Sequence, residues 1–332
     1  MPEAVRRMKA VVREKYGPPD VLHLADVEKP TPKDNEVLVS IRASSINKSQ
    51  WFELTPPFPM RFLIGGVWKP KRELIGADMA GTVEAVGKDV KQFRPGDQVF
   101  GCAHWGYAEY ACAREDLVVS KPENVTFEEA AAVPVAAITA LQGLRDKGHV
   151  QAGQKVLING ASGGVGSFAL QIAKSFGAEV TAVCSTKNVD NARAMGADHV
   201  IDYTKADFTK EDQKYDLILG VNGRHSIFAY RRALVPGGIY VMVGGSKVIS
   251  SLIESMILGS LISRTGDKKL GFMGIAKLNQ KDLAFLGSLL ESGKLKPLID
   301  SSYPLAQTAD AFRYFGQGHA HGKVVVSVGP QA

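Results

Sequence analysis

One glycine-rich segment constrains the possible folds of this chain more than any other. Its residues are Ala161, Ser162, Gly163, Gly164, Val165 and Gly166. The run before it, KVLING at 155–160, predicts a buried strand, and apolar residues then recur at spacings of three and four as far as position 176. That spacing predicts an amphipathic helix ending before Gly177. The segment matches a G-x-G-x-x-G fingerprint with alanine in the first position, so we predict a strand–turn–helix unit that binds a dinucleotide.

Each glycine of such a turn has its own physical role. Gly163 lets the backbone approach a pyrophosphate, and Gly166 lets the helix pack closely on the strand. The helix N terminus adds free N–H groups and the positive end of its dipole. We therefore predict that the whole segment, 161–166, contacts a cofactor.

The same letters support a second interpretation. Residues 160–164 also match G-x-S-x-G, the nucleophile elbow of α/β-hydrolases. A hydrolase would need an acid and then a histidine downstream, such as Asp216 and His225. The oxyanion motif of the His-Gly-Gly-Gly type is absent, and a β-rich first third has no evident use in a hydrolase. The sequence therefore favours the dinucleotide.

The end of the next predicted strand, EVTAVCS, indicates which nicotinamide cofactor fits. NAD enzymes usually place an acid there for the ribose 2′-hydroxyl, whereas a 2′-phosphate favours hydroxyls and a cation. This chain has Ser185, Thr186 and Lys187, with no acid before Asp190. We predict Ser185 and Lys187 as phosphate contacts, Thr186 as a further cofactor residue, and NADPH rather than NADH as the cofactor.

The chain has two regions with different predicted secondary structure. The first 120 residues predict short strands and turns, and from Gln154 onward five strands alternate with helices, as in a doubly wound parallel sheet. The residues GKVVVSV at 322–328 predict a strand that returns to the first domain, and residues 248–261 predict a helix packed in the core.

Composition and charge exclude other classes of function. The 332 residues include 40 Lys or Arg and 34 Asp or Glu, and the net charge of +6 is spread along the chain, so we predict no nucleic-acid partner. The three cysteines, Cys102, Cys112 and Cys184, are too few for a disulfide framework or a four-cysteine zinc site. The first residues lack the apolar core of a signal peptide, and 247–263 is too short and polar to span a bilayer, so we expect a cytoplasmic protein.

Several runs together resemble a known family, the medium-chain dehydrogenase/reductase superfamily, and within it the zinc-independent quinone oxidoreductase branch that includes zeta-crystallin. The runs are IGADMAGTVEAVGKDVKQFRPGDQVFG, EEAAAVPVAAITALQGL, LINGASGGVGSFALQIAKSFGAEVTAVCS, GADHVIDY and HGKVVVSV. The resemblance implies an α/β protein with a GroES-like β domain at 1–125 and 268–332 and a Rossmann doubly wound parallel-sheet domain at 126–267. It also implies a homodimer with the active site between the domains.

The resemblance further implies site residues. Asn47 and Gln50 would line the substrate side, Thr139 would contact the carboxamide end of the nicotinamide, Tyr203 would meet the 2′-phosphate, and Lys323 would lie near the cofactor. No side chain stands out as a general acid, with Tyr107 and His104 the nearest candidates.

Zinc-binding relatives carry a cysteine where this chain has Asn47 and a Gly-His-Glu triplet where it has Gly76, Ala77 and Asp78. We therefore expect no metal. The implied reaction is NADPH-dependent reduction of quinones or α,β-unsaturated carbonyls. Alcohol or ketone redox chemistry and a non-catalytic NADPH-binding oligomer remain as alternatives.

Overall fold

The computed structural model describes residues 6–58, 61, 66–71, 73–222, 225–244, 263 and 266–329, so the predicted helix at 248–261 lies outside the described residues. The chain divides into two compact units. The first contains residues up to Val135, Leu278–Ser292 and residues from Pro297 onward, and the second contains Ala136–Lys277 and Gly293–Lys296. Among the described residues, no helix is both long and apolar enough to cross a membrane.

The first unit is mainly β. Its strands are β1 (Arg7–Val12), β2 (His23–Glu28), β3 (Glu36–Ser45), β4 (Asp78–Val86), β5 (Gln98–Cys102), β6 (Tyr110–Arg114), β7 (Val118–Ser120), β14 (Ile299–Pro304) and β15 (Lys323–Ser327). Its helices are α1 (Lys48–Leu54), α2 (Phe127–Ala131), α7 (Gln280–Glu291) and α8 (Thr308–Gly316).

A seven-stranded sheet in the order β14-β15-β3-β4-β5-β7, with β6 also paired to β3, organises this unit. The predicted strand near the end of the sequence is confirmed as β15, which pairs antiparallel with β3. The apolar side chains Val39, Ile41, Val324 and Val326 are fully buried in one core. This pairing brings residues from the two ends of the sequence together in the interior of the sheet.

The second unit is a parallel sheet with helices. Its strands are β8 (Lys155–Asn159), β9 (Glu179–Cys184), β10 (His199–Asp202), β11 (Tyr215–Gly220), β12 (Leu234–Met242) and β13 (Lys269–Phe272), and its helices are α3 (Pro134–Gln142), which starts just before the boundary, α4 (Gly164–Ser175), α5 (Val189–Ala194) and α6 (Ile227–Ala233). The order is β10-β9-β8-β11-β12-β13, and every pairing is parallel. This is the strand order of a doubly wound dinucleotide-binding sheet, so the predicted α/β fold class is confirmed.

The units divide at other positions than the predicted limits of 125 and 268. The short strand β13 pairs with β12 and so extends the parallel sheet beyond residue 268, to the boundary at Lys277. A strand of only four residues is too short for its alternation to be recognised in the sequence. Helix α2 lies in the first unit, and the break near Pro134 is present because α3 begins at that proline, where its missing N–H costs nothing.

Candidate functional site

The glycine-rich turn joins β8 to α4, as predicted. Gly163 is the N-cap of α4, and the turn itself depends on Gly160, whose φ of +94° is a left-handed conformation that side chains rarely adopt. A Cβ atom at Gly160 would lie 2.9 Å from the Cβ of Asn222. The first glycine of the turn is therefore Gly160, one position before Ala161, which is fully buried.

The two glycines with predicted roles differ in their surroundings. A Cβ atom at Gly166 would lie 2.0 Å from the carbonyl oxygen of Gly160, so only glycine allows this close approach of helix and turn. A Cβ atom at Gly163 would meet nothing closer than that same oxygen at 3.8 Å. The first N–H groups of α4 have no acceptor within the helix. The turn thus combines open space with unused donors, which fits a pyrophosphate.

Hydrogen bonds bring the other predicted cofactor residues of this unit to the same edge. The N–H groups of Gly160 and Ala161 both donate to the carbonyl oxygen of Val183, each at 3.1 Å. The N–H of Tyr203 donates to the carbonyl oxygen of Cys184 at 3.0 Å. The ends of β8, β9 and β10 therefore meet beside the glycine-rich turn. Thr139 lies elsewhere, partly buried on α3.

The residues that follow β9 present different polar groups. The amide of Asn188 donates to the Ser185 hydroxyl oxygen at 3.1 Å, which leaves the Ser185 proton available to an acceptor. Lys187 is exposed, and Tyr203 is 58% exposed. Ser185, Lys187 and Tyr203 can therefore all reach a ligand at this edge.

Thr186 is hydrogen-bonded to Asp202, an acid that was not predicted from the sequence. Its hydroxyl donates to Asp202 Oδ2 at 2.6 Å, and the N–H and hydroxyl of Thr204 donate to Asp202 Oδ1 at 3.0 and 2.8 Å. The Thr186 hydrogen bond, supported by those from Thr204, lowers the pKa of Asp202 to about 2. Asp202 comes from β10, one strand away from the end of β9, where an acid is expected in NAD enzymes. No local run of sequence points to it, because only the parallel pairing of Asp202 with Cys184 brings it to that position.

In the first unit, Asn47 lies at the start of α1 in a set of buried polar groups. Its backbone N–H donates to Gln50 Oε1 at 2.7 Å, which fixes both predicted substrate-side residues relative to each other. Its side-chain Nδ2 donates to Asp78 Oδ2 at 2.7 Å, and its Oδ1 accepts from Lys323 Nζ at 2.5 Å. Asn47 is 7% exposed and Gln50 is 2% exposed.

Asp78 is the centre of this set, although the sequence analysis treated it only as a departure from a metal-ligand pattern. Its side chain is fully buried and accepts from the Ser45 hydroxyl at 2.6 Å and from the N–H of Val135 at 2.9 Å. Strand β4 begins at Asp78, and its antiparallel neighbour β3 ends at Ser45. A charged residue within the run DMAGTV was the only signal in the sequence.

Lys323 completes the set. Its Nζ donates to the carbonyl oxygen of Ile46 at 3.0 Å and to Asn47 Oδ1, and lies 3.6 Å from Asp78 Oδ2. The ammonium group thus has three acceptors inside this unit. Burial lowers the pKa of Lys323, and the Asp78 carboxylate opposes that shift. The contact of Lys323 with the cofactor stays a prediction, whereas the structure shows its contact with Asn47.

These residues do not fit a zinc ion. The Asn47 amide oxygen and the Asp78 carboxylate already face an ammonium group, so a second cation would be repelled. Cys102 Sγ lies 4.0 Å from Asp78 Oδ1, and burial raises the pKa of its thiol well above the usual range, which keeps it protonated rather than a thiolate ligand. In the described part of the chain, no three His, Cys, Asp or Glu side chains are grouped to hold a metal.

Comparison with known proteins agrees with this architecture. Residues 33–123 match the family model of the alcohol dehydrogenase GroES-like domain, and residues 195–326 match that of the zinc-binding dehydrogenases. The chain is 35% identical to 2-methylene-furan-3-one reductase of Solanum lycopersicum, over 96% of this chain and 79% of that protein. It is 32% identical to the chloroplastic NADPH-dependent alkenal/one oxidoreductase of Arabidopsis thaliana, over 97% and 80% respectively.

A solved structure is similar along its whole length. The quinone oxidoreductase from Coxiella burnetii superposes with a TM-score of 0.85 at 29% identity, covering 98% of this chain and 100% of that one. The hydrolase interpretation of the glycine-rich turn is therefore wrong. The chain belongs to the medium-chain dehydrogenase/reductase superfamily, in its zeta-crystallin-like quinone oxidoreductase branch.

Proposed function

We propose that this protein is an NADPH-dependent oxidoreductase that reduces quinones or α,β-unsaturated carbonyl compounds by direct hydride transfer, without zinc. The observation that carries the proposal is the glycine-rich turn. It has open space at Gly163, and Ser185 and Lys187 lie at the same edge of the sheet. The names of the tomato and Arabidopsis relatives, a furanone reductase and an alkenal/one oxidoreductase, support the substrate class.

The second unit supplies the binding groups for the cofactor. The N–H groups of 164–166 bind the pyrophosphate, Thr139 meets the carboxamide end, and Ser185, Lys187 and Tyr203 bind the 2′-phosphate. In the described part of the chain Asp202 pairs with Lys205, 3.5 Å away, rather than with Lys187, and its oxygens also accept from Thr186 and Thr204. When bound, the reduced nicotinamide supplies a hydride to the electron-poor β-carbon of an enone or to a quinone.

Asn47 and Gln50 position the substrate. Negative charge develops on the carbonyl oxygen during hydride addition, and a fixed amide N–H stabilises it. Tyr107 does not supply the proton, because its hydroxyl donates to the Ser45 carbonyl and burial raises the pKa of the phenol well above its usual value. His104 is paired with the buried Glu36 at 3.0 Å. The proton therefore comes from solvent.

The alternative, an alcohol or ketone oxidoreductase, would need a metal or an acid to polarise an isolated C=O group. The buried ammonium of Lys323 faces Asn47 and Asp78 instead. A non-catalytic NADPH-binding oligomer is the other alternative. We continue to predict a cytoplasmic homodimer that binds small molecules and no nucleic acid.

The test is NADPH oxidation with a panel of quinones, enones and saturated ketones, followed by product analysis. We expect turnover of quinones or enones, slow or no turnover of saturated ketones, and no zinc requirement after chelation. Tight NADPH binding without turnover of any substrate would contradict the enzyme proposal. Faster turnover of saturated ketones would favour the alcohol/ketone alternative. The Gly163→Val variant serves as the control without cofactor binding.

A further inference from the structure

A fully buried ion pair adjoins the Asn47 amide. Lys323 and Asp78 have side-chain exposures of 2% and 0%, and each bonds a different end of that amide. An isolated buried lysine is strongly destabilising, and even a matched buried pair is often no more stable than well-packed apolar residues. Stability alone therefore gives no reason for placing a lysine here.

We propose that Lys323 is a positioning residue for the reaction, because its ammonium group fixes the orientation of the Asn47 amide that holds the substrate oxygen. This inference rests on the proposed function.

The chemistry of the two partners determines the orientation. An ammonium group only donates, so the atom of Asn47 that faces Lys323 must be Oδ1, and a carboxylate only accepts, so the atom that faces Asp78 must be Nδ2. Turning the amide by 180° would place two donors against each other and two acceptors against each other. The pair therefore selects one of two arrangements that an amide of this shape could otherwise adopt.

One N–H of Nδ2 is used by Asp78, and in the described part of the chain the other has no partner. That second N–H is the donor we assign to the substrate oxygen. The ammonium group at Oδ1 also draws electron density from the amide, which makes its N–H a stronger donor toward developing negative charge. Lys323 thus acts through Asn47, without itself touching substrate.

The first experiment is a double-mutant cycle of Lys323→Met and Asn47→Ala, with enone kinetics and NADPH titration. Loss of an oriented donor costs about 100-fold or more. We expect K323M to lower kcat by about this factor while the Kd for NADPH stays within about twofold. In the N47A background the same change should lower kcat less than about threefold, because the group that Lys323 orients is already gone. Independent, additive losses would overturn the proposal.

A second variant distinguishes a loss of kcat from a loss of folding. K323M alone leaves Asp78 as an unpaired buried charge, whereas D78N/K323M removes both charges and keeps the volume nearly constant. We expect D78N/K323M to have a melting temperature close to that of the wild type and still to lose kcat. Wild-type kcat in this folded double variant would overturn the proposal.

A third readout is independent of turnover. The two side-chain amide protons of Asn47, identified by their loss in Asn47→Asp, should shift in the ¹⁵N–¹H spectrum of K323M and exchange faster with solvent. Unchanged Asn47 amide signals would overturn the role of Lys323. A wild-type protein that turns over no substrate of the panel would instead overturn the proposed function, and the amide signals would still decide the role of Lys323.

Discussion

The hydrogen bond between Thr186 and Asp202 decides what these two side chains offer to a cofactor. The Thr186 proton is given to the carboxylate, so Thr186 supports the turn, while the Ser185 proton stays available to the predicted phosphate. The Lys187 assignment needed only a local run of sequence. Asp202, Asp78 and Lys323 could not be assigned in that way, because their partners are set by strand pairing: the register of Val325 with Ser45 brings Lys323 to Asn47, 276 positions away.

The charge of Lys187 is the clearest residue-scale test. We expect Lys187→Glu to weaken NADPH at least about tenfold and NADH less than about threefold, because the new carboxylate repels only the 2′-phosphate. Titration of both nucleotides measures this. Lys281→Glu, the same charge change on α7 in the other unit, is the matched control. Equal weakening of both nucleotides by K187E would show that the phosphate pocket is misplaced.

Asp202 gives a second test with a defined pH dependence. Asp202→Asn removes a negative charge from the strand end next to the predicted phosphate contacts, so we expect NADPH to bind about two- to fivefold tighter relative to NADH. Because the carboxyl pKa lies at about 2, the wild-type group is ionised throughout pH 7–9, where the 2′-phosphate is also largely deprotonated, so the difference should be nearly constant over that range. Equal NADPH-to-NADH affinity ratios for the wild type and D202N at about pH 8 would contradict the assigned charge.

At the scale of elements, the strand–turn–helix unit was predictable because every determinant is local. The periodic apolar face and the glycine after it give nearly the observed bounds of α4, and Gly177 has a φ of +80° just beyond the helix. Strand β13 was not predictable, since its four residues join the sheet only through β12. Local patterns thus predict the strand–turn–helix unit, whereas β13 and the Asn47–Asp78–Lys323 contacts depend on pairing between distant strands.

Two valine substitutions in the turn separate binding from folding. Gly163→Val points into open space, so we expect a folded protein that binds neither NADPH nor NADH. Gly166→Val meets the Gly160 carbonyl, so we expect destabilisation at or beyond the usual overpacking cost of about 1–3 kcal/mol. Circular dichroism melts and nucleotide titrations distinguish the two. Wild-type affinity in folded G163V would refute the fingerprint assignment.

At the scale of the whole molecule, the two units have separate apolar cores. Of the predicted cofactor residues, Lys323 lies in the first unit, and the others lie in the second: Thr139, 161–166, 185–187 and Tyr203. NADPH at 100 times its Kd should therefore stabilise the second unit by about 2.7 kcal/mol. A thermal melt should show a shift of several degrees in the wild type and none in G163V. An equal shift in both would place the binding site elsewhere.

The pairing of β3 with β15 can form only late in the synthesis of the chain. Lys323 leaves the ribosome 276 residues after Asn47, a delay of about 14–55 s at about 5–20 residues per second. During this interval the nascent chain holds the Asp78 carboxylate without its cation and the edge of β3 without its neighbour. The pairing that brings Lys323 to Asn47 therefore forms only after the second unit has been synthesised, and until then the growing chain exposes a strand edge that chaperones can bind.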